Sequence, residues 1–366
     1  MKKRLLAMIL ALCLLLTGCS LRMNGHYASV EPYLVQDRKE DEGIVAVSSS
    51  QEMRVALEDM VSSAVESRTI SVQNMASEAV EEKIQRAIHN VLRNFPIAAY
   101  AVENIEYSIG VTGGVSAVVI TVHYNHNRSE IQRIRLVAGI EEATELISAA
   151  LNELEPGIVL EVQNYWGADF TQIVEDYAFS QPNVVMEIPQ ISASIYPEKG
   201  STRVVELKFT YQNSRDDLRS MQWYVQPRFE SASLYVSGEE EESVKFSRLY
   251  AFLMETTQYT VETSITPAYS LLRHSVGDSK AFATVYAAMC RQAGMNCQVV
   301  TGTKAGEPWF WNIICEDSAY YHVDLLASYA AGAYQKLSDG DMNGYVWDYT
   351  AYPQCGIQEE ITDGTE

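Results

Sequence analysis

The stretch of sequence that decides the fold lies in the last third of the chain. It reads GDSKAFATVYAAMCRQAGMNCQVVTG at residues 277–302 and EPWFWNIICEDSAYYHVDLLA at residues 307–327. Asp278 or Ser279, placed just before an apolar run, is a good helix N-cap because its short side chain accepts a backbone N–H of the first turn. Further along, the stretch carries a cluster of aromatic residues and then the sequence Tyr-Tyr-His-Val-Asp.

Three motifs in this stretch resemble those of the bacterial transglutaminase-like (papain-type) domain. In that family Gly-x-Cys opens a helix, His-x-Trp-Asn lies on a strand, and Trp-Tyr-x-Val-Asp closes the site. The resemblance places Ser279 at the position of the nucleophilic cysteine and Trp309 at that of the base histidine, with Asp324 as the residue that orients the base. It implies an α+β domain over residues 238–357.

Two of the three catalytic roles of the family are not filled by the residues at these positions. The hydroxyl of Ser279 is a far weaker acid than a thiol, and it needs an adjacent base to become a nucleophile. The indole of Trp309 has an N–H that only donates a hydrogen bond, so it cannot take a proton. The sequence therefore predicts a pseudoenzyme with no catalytic residue, in which only Asp324 is retained from the family pattern.

An alternative function is a hydrolase or acyl transferase that uses Ser279, His322 and Asp324. His322 lies two residues before Asp324, so both side chains are expected on the same face of a strand. If the domain is not catalytic, the candidate binding residues are Trp309, Phe310 and His322, of which the aromatic ones would stack on a ligand. The sequence leaves open whether Trp309 lines a cleft or plugs it.

The N-terminus predicts a lipoprotein. A basic start, a short apolar run over 5–16 and the sequence Leu-Thr-Gly-Cys ending at Cys19 are typical of a signal peptide with a lipobox. We therefore expect a signal peptide at 1–18, a lipid on Cys19 and a polar tether over 19–43. This anchor would hold the protein on the extracytoplasmic face of the bacterial cell membrane.

Composition limits the partners. The net charge is −21, which disfavours nucleic acid and anionic surfaces. The six histidines form no H-E-x-x-H motif, the cysteines form no C-x-x-C motif, and no phosphate-binding glycine loop is present, so no metal or cofactor is expected. The expected partners are the membrane, through the lipid, and a peptide, a cell-wall fragment or a protein.

The last four cysteines allow up to two disulfides outside the cytoplasm. They are Cys290, Cys297, Cys315 and Cys355. The resemblance to the transglutaminase-like domain puts Cys297 and Cys315 on adjacent strands, which makes that pair the first to test. A reduced state stays open, since buried cysteine is a common core residue.

Two related α/β repeats are predicted before the C-terminal domain, over 44–137 and 138–237. The sequence Val-Gln-Asn at 72–74 recurs at 162–164, and each copy shows the order helix, strand, helix, hairpin. The second hairpin is expected to begin with a strand over 184–195. An acidic run marks the start of the last domain, and an acidic tail is expected over 358–366.

Overall fold

A computed structural model describes residues 45–73, 77–112, 115–236, 238, 241–254 and 260–356. The predicted signal peptide, the lipid site Cys19, the tether and the acidic tail lie outside these residues. The described elements form three four-stranded sheets with helices packed on them. Within the same residues, no helix combines the length and apolar character that crossing a membrane requires.

The first sheet has the strand order β1-β2-β4-β3, with β1 parallel to β2 and the other pairs antiparallel. Three helices accompany it, and its apolar face forms a core with side chains such as Leu57, Ile70 and Ile84, all 0% exposed. Its elements are β1 (Val45–Val47), α1 (Ser50–Ser62), β2 (Ser67–Val72), α2 (Ser77–Asn94), α3 (Pro96–Ala101), β3 (Val102–Thr112) and β4 (Val115–Tyr124).

The second sheet repeats this arrangement. Its order is β5-β6-β8-β7, with β5 parallel to β6 and the other pairs antiparallel. A separate core lies beneath it, with Ile147, Leu160 and Val174 fully buried. Its elements are α4 (Arg128–Gln132), β5 (Arg135–Val137), α5 (Ile140–Asn152), β6 (Gly157–Val162), α6 (Phe170–Ser180), β7 (Gln190–Tyr196) and β8 (Arg203–Thr210).

The two sheets match in spacing as well as in topology. Helices α1 and α5 begin and end 90 residues apart, and so do strands β2 and β6. The two Val-Gln-Asn sequences, at 72–74 and 162–164, are separated by the same number of residues. An origin of the two units by duplication stays a prediction. The shared order of their elements supports it.

The predicted strand over 184–195 is wrong in its first half. Strand β7 begins only at Gln190, and residues 184–189 are irregular. The buried carboxylate of Glu187 accepts the backbone N–H groups of Gln212 and Asn213, at 2.5 and 3.1 Å. These hydrogen bonds tie the segment to the loop after β8 instead of to a neighbouring strand.

The third sheet belongs to the C-terminal part and has the antiparallel order β11-β10-β9-β12. Helix α10 lies against it and is buried at every position from Ala281 to Cys290, which makes it the centre of the largest core. The elements are α7 (Arg215–Tyr235), α8 (Glu242–Met254), α9 (Pro267–His274), α10 (Ser279–Gln292), β9 (Cys297–Lys304), β10 (Glu307–Glu316), β11 (Ala319–Val323), α11 (Leu325–Ala331), a 3-10 turn (Asp339–Asp341) and β12 (Tyr345–Trp347).

No disulfide joins the four cysteines of this domain, all of which are free thiols. Cys297 lies opposite Ile314 in the β9–β10 ladder. Side chains alternate across a strand, so the next residue, Cys315, projects from the other face of the sheet. The expected Cys297–Cys315 pair is therefore not formed, although the two strands are adjacent as predicted.

Candidate functional site

The start of helix α10 is built as the sequence predicts. The side chain of Asp278 is the N-cap and accepts the backbone N–H of Ala281 at 2.9 Å. Ser279 is the first helical residue and is only 7% exposed. Its hydroxyl oxygen accepts the backbone N–H of Phe310 at 3.2 Å. Strand β11 pairs with β10 only from Asn312 onward, so the serine supplies an acceptor that the sheet does not.

Asp324 lies just after β11, is 2% exposed, and has both carboxylate oxygens occupied. Oδ1 accepts the backbone N–H of Ala327 at 2.9 Å and so caps helix α11. Oδ2 accepts three side-chain donors, namely Trp309 Nε1 at 2.8 Å, Lys304 Nζ at 2.9 Å and Tyr345 Oη at 2.6 Å. The charge is thus balanced by a cation and four hydrogen bonds, as a buried carboxylate requires.

The contact of Trp309 with Asp324 has the form of a base–orienter hydrogen bond. A catalytic histidine would donate one ring N–H to the carboxylate and keep a lone pair on its other nitrogen. Trp309 supplies the donor and has no such lone pair. Lys304 Nζ lies 4.9 Å from the ring centroid of Trp309, so the indole also shields this ion pair. Burial and the bond to Asp324 raise the pKa of Tyr345, which stays a donor at neutral pH.

The space between helix α10 and strand β10 at this point is filled. The gap is too small to admit a water molecule. It is bounded by Ser279, Phe282, Ala283, Phe310, Trp311, Asp324, Leu325 and Leu326. A substrate carbonyl therefore has no position beside the Ser279 hydroxyl in this conformation. Trp309 does not line the gap.

His322 is not placed where the alternative function needs it. It shares a face of the sheet with Asp324, as expected, because the two residues contact Trp311 and Trp309, which lie two residues apart on β10. Helix α10 packs on the other face, where Asn312 donates to the carbonyl of Ala283. His322 is 0% exposed, and its Nδ1 accepts the indole N–H of Trp311 at 2.9 Å. Its Nε2 lies 2.9 Å from Oδ1 of Asp339. Both ring nitrogens are engaged, so it is neither a base for Ser279 nor a surface binding residue.

These contacts also fix the tautomer of His322. Because an indole N–H only donates, Nδ1 must be unprotonated, and Nε2 carries the proton that is donated to Asp339. Burial lowers the pKa of the imidazole, and the nearby carboxylate of Asp339 opposes that shift. The neutral ring is therefore the favoured form in this packed environment.

One group of metal-ligand types occurs among the described residues. Donor atoms of His322, Asp339 and Cys355 lie within 4.8 Å of one another. A metal bound to Nε2 of His322 would force the ring proton onto Nδ1. That proton would then point at the indole N–H of Trp311, and the hydrogen bond between the two residues would be lost. Burial, aided by Asp339, also raises the pKa of the Cys355 thiol to about 12, which disfavours the thiolate ligand. The group does not fit a metal site.

Sequence reasoning missed two partners of Asp324 and one cavity. Lys304 and Tyr345 come from β9 and β12, and no local spacing links them to Asp324. The cavity, of about 210 Å³, lies between the second sheet's segment 178–188 and the C-terminal domain. Phe310 reaches the cavity region and meets Phe179 edge to face, with ring centroids 6.4 Å apart.

One family model matches the C-terminal part of the chain. The family model of the transglutaminase-like superfamily matches residues 231–358, and this part of the chain is a transglutaminase-like domain. No curated protein matches the chain significantly.

Three solved structures are similar to parts of it. A candidate cysteine protease from Cytophaga hutchinsonii is 15% identical over 43% of this chain and 70% of its own, with a TM-score of 0.25. A candidate protease from Parabacteroides distasonis is 9% identical over 70% and 39%, with a TM-score of 0.23. A TGase is 10% identical over 76% and 78%, with a TM-score of 0.25.

Proposed function

We propose that the chain is a non-catalytic surface lipoprotein whose transglutaminase-like domain is a binding module. Its partner would be a peptide, a cell-wall fragment or a protein. The observation that carries the proposal is the hydrogen bond from Trp309 to the buried carboxylate of Asp324. It occupies the place of a base–orienter pair with a group that cannot accept a proton.

The surroundings of Ser279 support the same conclusion. Its hydroxyl accepts a backbone N–H, and none of the hydrogen bonds of the described residues joins it to a histidine, lysine or carboxylate. Without a base, a serine hydroxyl is a weak nucleophile at neutral pH. The filled gap beside it supplies no place for a reacting carbonyl.

Membrane attachment is the second part of the proposal. It rests on the lipobox that ends at Cys19 and on the basic, apolar segment before it. A lipid-anchored protein with a net charge of −21 would stand off an anionic membrane surface, with its domains available to a partner. Metabolic labelling with an alkyne fatty acid tests this point, and loss of label in Cys19→Ala is the expected result.

The alternative of a Ser279–His322–Asp324 hydrolase or acyl transferase is not favoured. His322 is held by Trp311 and Asp339. It pairs with Ile313 of β10, so its side chain lies on the opposite face of the sheet from Phe310, the residue that contacts Ser279. Hydrolysis of peptide amides, and transfer of their acyl groups to a fluorescent amine, are the reactions to assay. We expect the wild-type protein to show no more product than Ser279→Ala. Product that depends on Ser279 would overturn the proposal.

A further inference from the structure

The cavity between the second sheet and the C-terminal domain is separate from the filled gap at Ser279. One wall comes from the end of helix α6 and the irregular segment after it, and the other from residues 263–268 and helix α10. Its apolar walls are formed by Ala178, Phe179, Pro182, Val185, Met186, Ile188, Ile265, Pro267 and Ala268. Lys280 and Thr284, one turn apart on α10, face it as well.

The size of the cavity selects a class of ligand group. Its volume is about 210 Å³, somewhat more than the roughly 150 Å³ of an engineered protein cavity that binds benzene. It therefore suits one aromatic or branched aliphatic group. A chain of several sugars or a folded peptide segment would not fit inside it.

The charged residues that line the cavity are one cation, Lys280, and two carboxylates, Glu187 and Asp278. Lys280 lines it, and none of the ion pairs of the described residues involves this side chain. Its ammonium lies 4.0 Å from the ring centroid of Phe179 and 5.3 Å from that of Phe310. Burial lowers the pKa of Lys280, while the charges of Glu175 and Asp278 oppose that shift. An ammonium on aromatic faces still lacks an anionic acceptor for its N–H donors.

The two acidic groups of the lining are already engaged. Glu187 accepts the backbone N–H groups of Gln212 and Asn213, and also the side-chain amide of Asn213 at 2.6 Å. Asp278 accepts the N–H of Ala281 at the start of α10. Lys280 is thus the group in the lining that gains most from an incoming charge of opposite sign.

We propose that this cavity binds an apolar group that carries a carboxylate, with the carboxylate paired to Lys280 and the apolar part against Val185, Met186 and Ala268. The inference rests on the proposed function as a binding module and names its ligand class. Two sources share this chemistry, namely a free small carboxylic acid and the C-terminus of a peptide that ends in a bulky apolar residue.

Isothermal titration calorimetry on the full-length protein tests the proposal with 4-phenylbutyrate and its neutral amide as probes. We expect saturable binding of the acid and about tenfold weaker binding of the amide, because a charge-assisted hydrogen bond is lost. Lys280→Met should bind the acid about tenfold more weakly than wild type, and Lys280→Arg should keep most of the affinity. Lys199→Met, at an exposed turn lysine, is the matched control and should bind like wild type.

A second variant and a peptide probe complete the test. Ile265 is 51% exposed at the cavity, so Ile265→Trp should fold and weaken both probes by filling the space. Acetyl-Gly-Phe binding more tightly than 4-phenylbutyrate would identify a peptide C-terminus, and the reverse order a small acid. The proposal is overturned if the acid shows no saturable binding, or if it binds Lys280→Met or its own amide form equally well.

This result is separable from the test of catalysis. If no acid binds and Ser279 still supports no reaction, only the ligand assignment fails. If the acid binds as expected while Ser279-dependent product forms, only the non-catalytic proposal fails.

Discussion

The indole N–H of Trp309 donates a 2.8 Å hydrogen bond to Oδ2 of Asp324, an oxygen that also accepts from Lys304 and Tyr345. The resemblance to the transglutaminase-like family implies that this carboxylate takes the place of the one that orients a histidine. Here it anchors β9, β10 and β12 and also caps α11 through its other oxygen. Asp324 is thus a structural centre of the domain.

Trp309→Phe should destabilise the domain by about 1–3 kcal/mol, because it removes a donor from a buried, charged acceptor. Chemical denaturation followed by circular dichroism measures the change. Trp166→Phe is the matched control, since Trp166 is 82% exposed, and it should shift the free energy of unfolding by less than about 0.5 kcal/mol. Equal effects of the two variants would contradict the anchoring role of Trp309.

Tyr345→Phe should also destabilise, by about 1.5–3 kcal/mol, since its hydroxyl donates to the same charged oxygen. The effects of Trp309→Phe and Tyr345→Phe should not add, because both donors share Oδ2 of Asp324. A double-mutant cycle should give an interaction energy of about 0.5 kcal/mol or more. Additive losses would show that the two contacts are independent.

Ser279→Ala should cost about 1–3 kcal/mol, because the partly buried N–H of Phe310 loses its acceptor. Ser220→Ala, on the exposed face of α7, provides the comparison and should change stability little. The hydroxyl of Ser220 donates only to the carbonyl of Asp216 in its own helix. Equilibrium unfolding of both variants therefore measures what the contact of Ser279 with Phe310 adds to stability. A neutral Ser279→Ala would remove the structural explanation for this residue.

His322 predicts a pH dependence of stability. Its folded pKa is lowered below the ordinary 6.5 by burial, so the unfolded chain binds the proton more readily. Stability from the neutral ring is therefore complete above about pH 6.5, and it declines as the pH falls through 6.5 toward the lower folded pKa. Unfolding measured from pH 7.5 to 5 should show this decline in wild type.

The decline should be smaller in His322→Gln and unchanged in His89→Gln, a variant at an exposed helix position. A wild-type curve that is flat over this range, or that is identical to that of His322→Gln, would contradict the neutral buried assignment.

The motifs predicted the local elements of the C-terminal domain well because each is encoded by adjacent residues. The helix N-cap at Asp278, the Trp-Asn strand and the aspartate after β11 all follow from short-range patterns and from the resemblance to the family. The family model bears out the transglutaminase-like domain. The three-residue strands β1 and β5 were not predicted, since two or three residues are too few to show alternation.

Contacts between residues far apart in the chain could not be predicted from the sequence. Lys304 and Tyr345 meet Asp324 only because β9 lies between β10 and β12 in the sheet. His322 lies on the face of the sheet opposite to helix α10, and no local pattern gives the face against which that helix packs. The cavity beside Lys280 depends on how helix α6 and the segment after it pack against α10, which no local pattern records.

If Ser279 has no base, it should not react with a fluorophosphonate probe, and this experiment requires no known substrate. The full-length protein would be incubated with the probe near neutral pH and analysed by intact-protein and peptide mass spectrometry, beside Ser279→Ala. We expect no adduct on Ser279 and the same background in both proteins. A stoichiometric adduct on Ser279 of the folded protein, absent from Ser279→Ala, would contradict it.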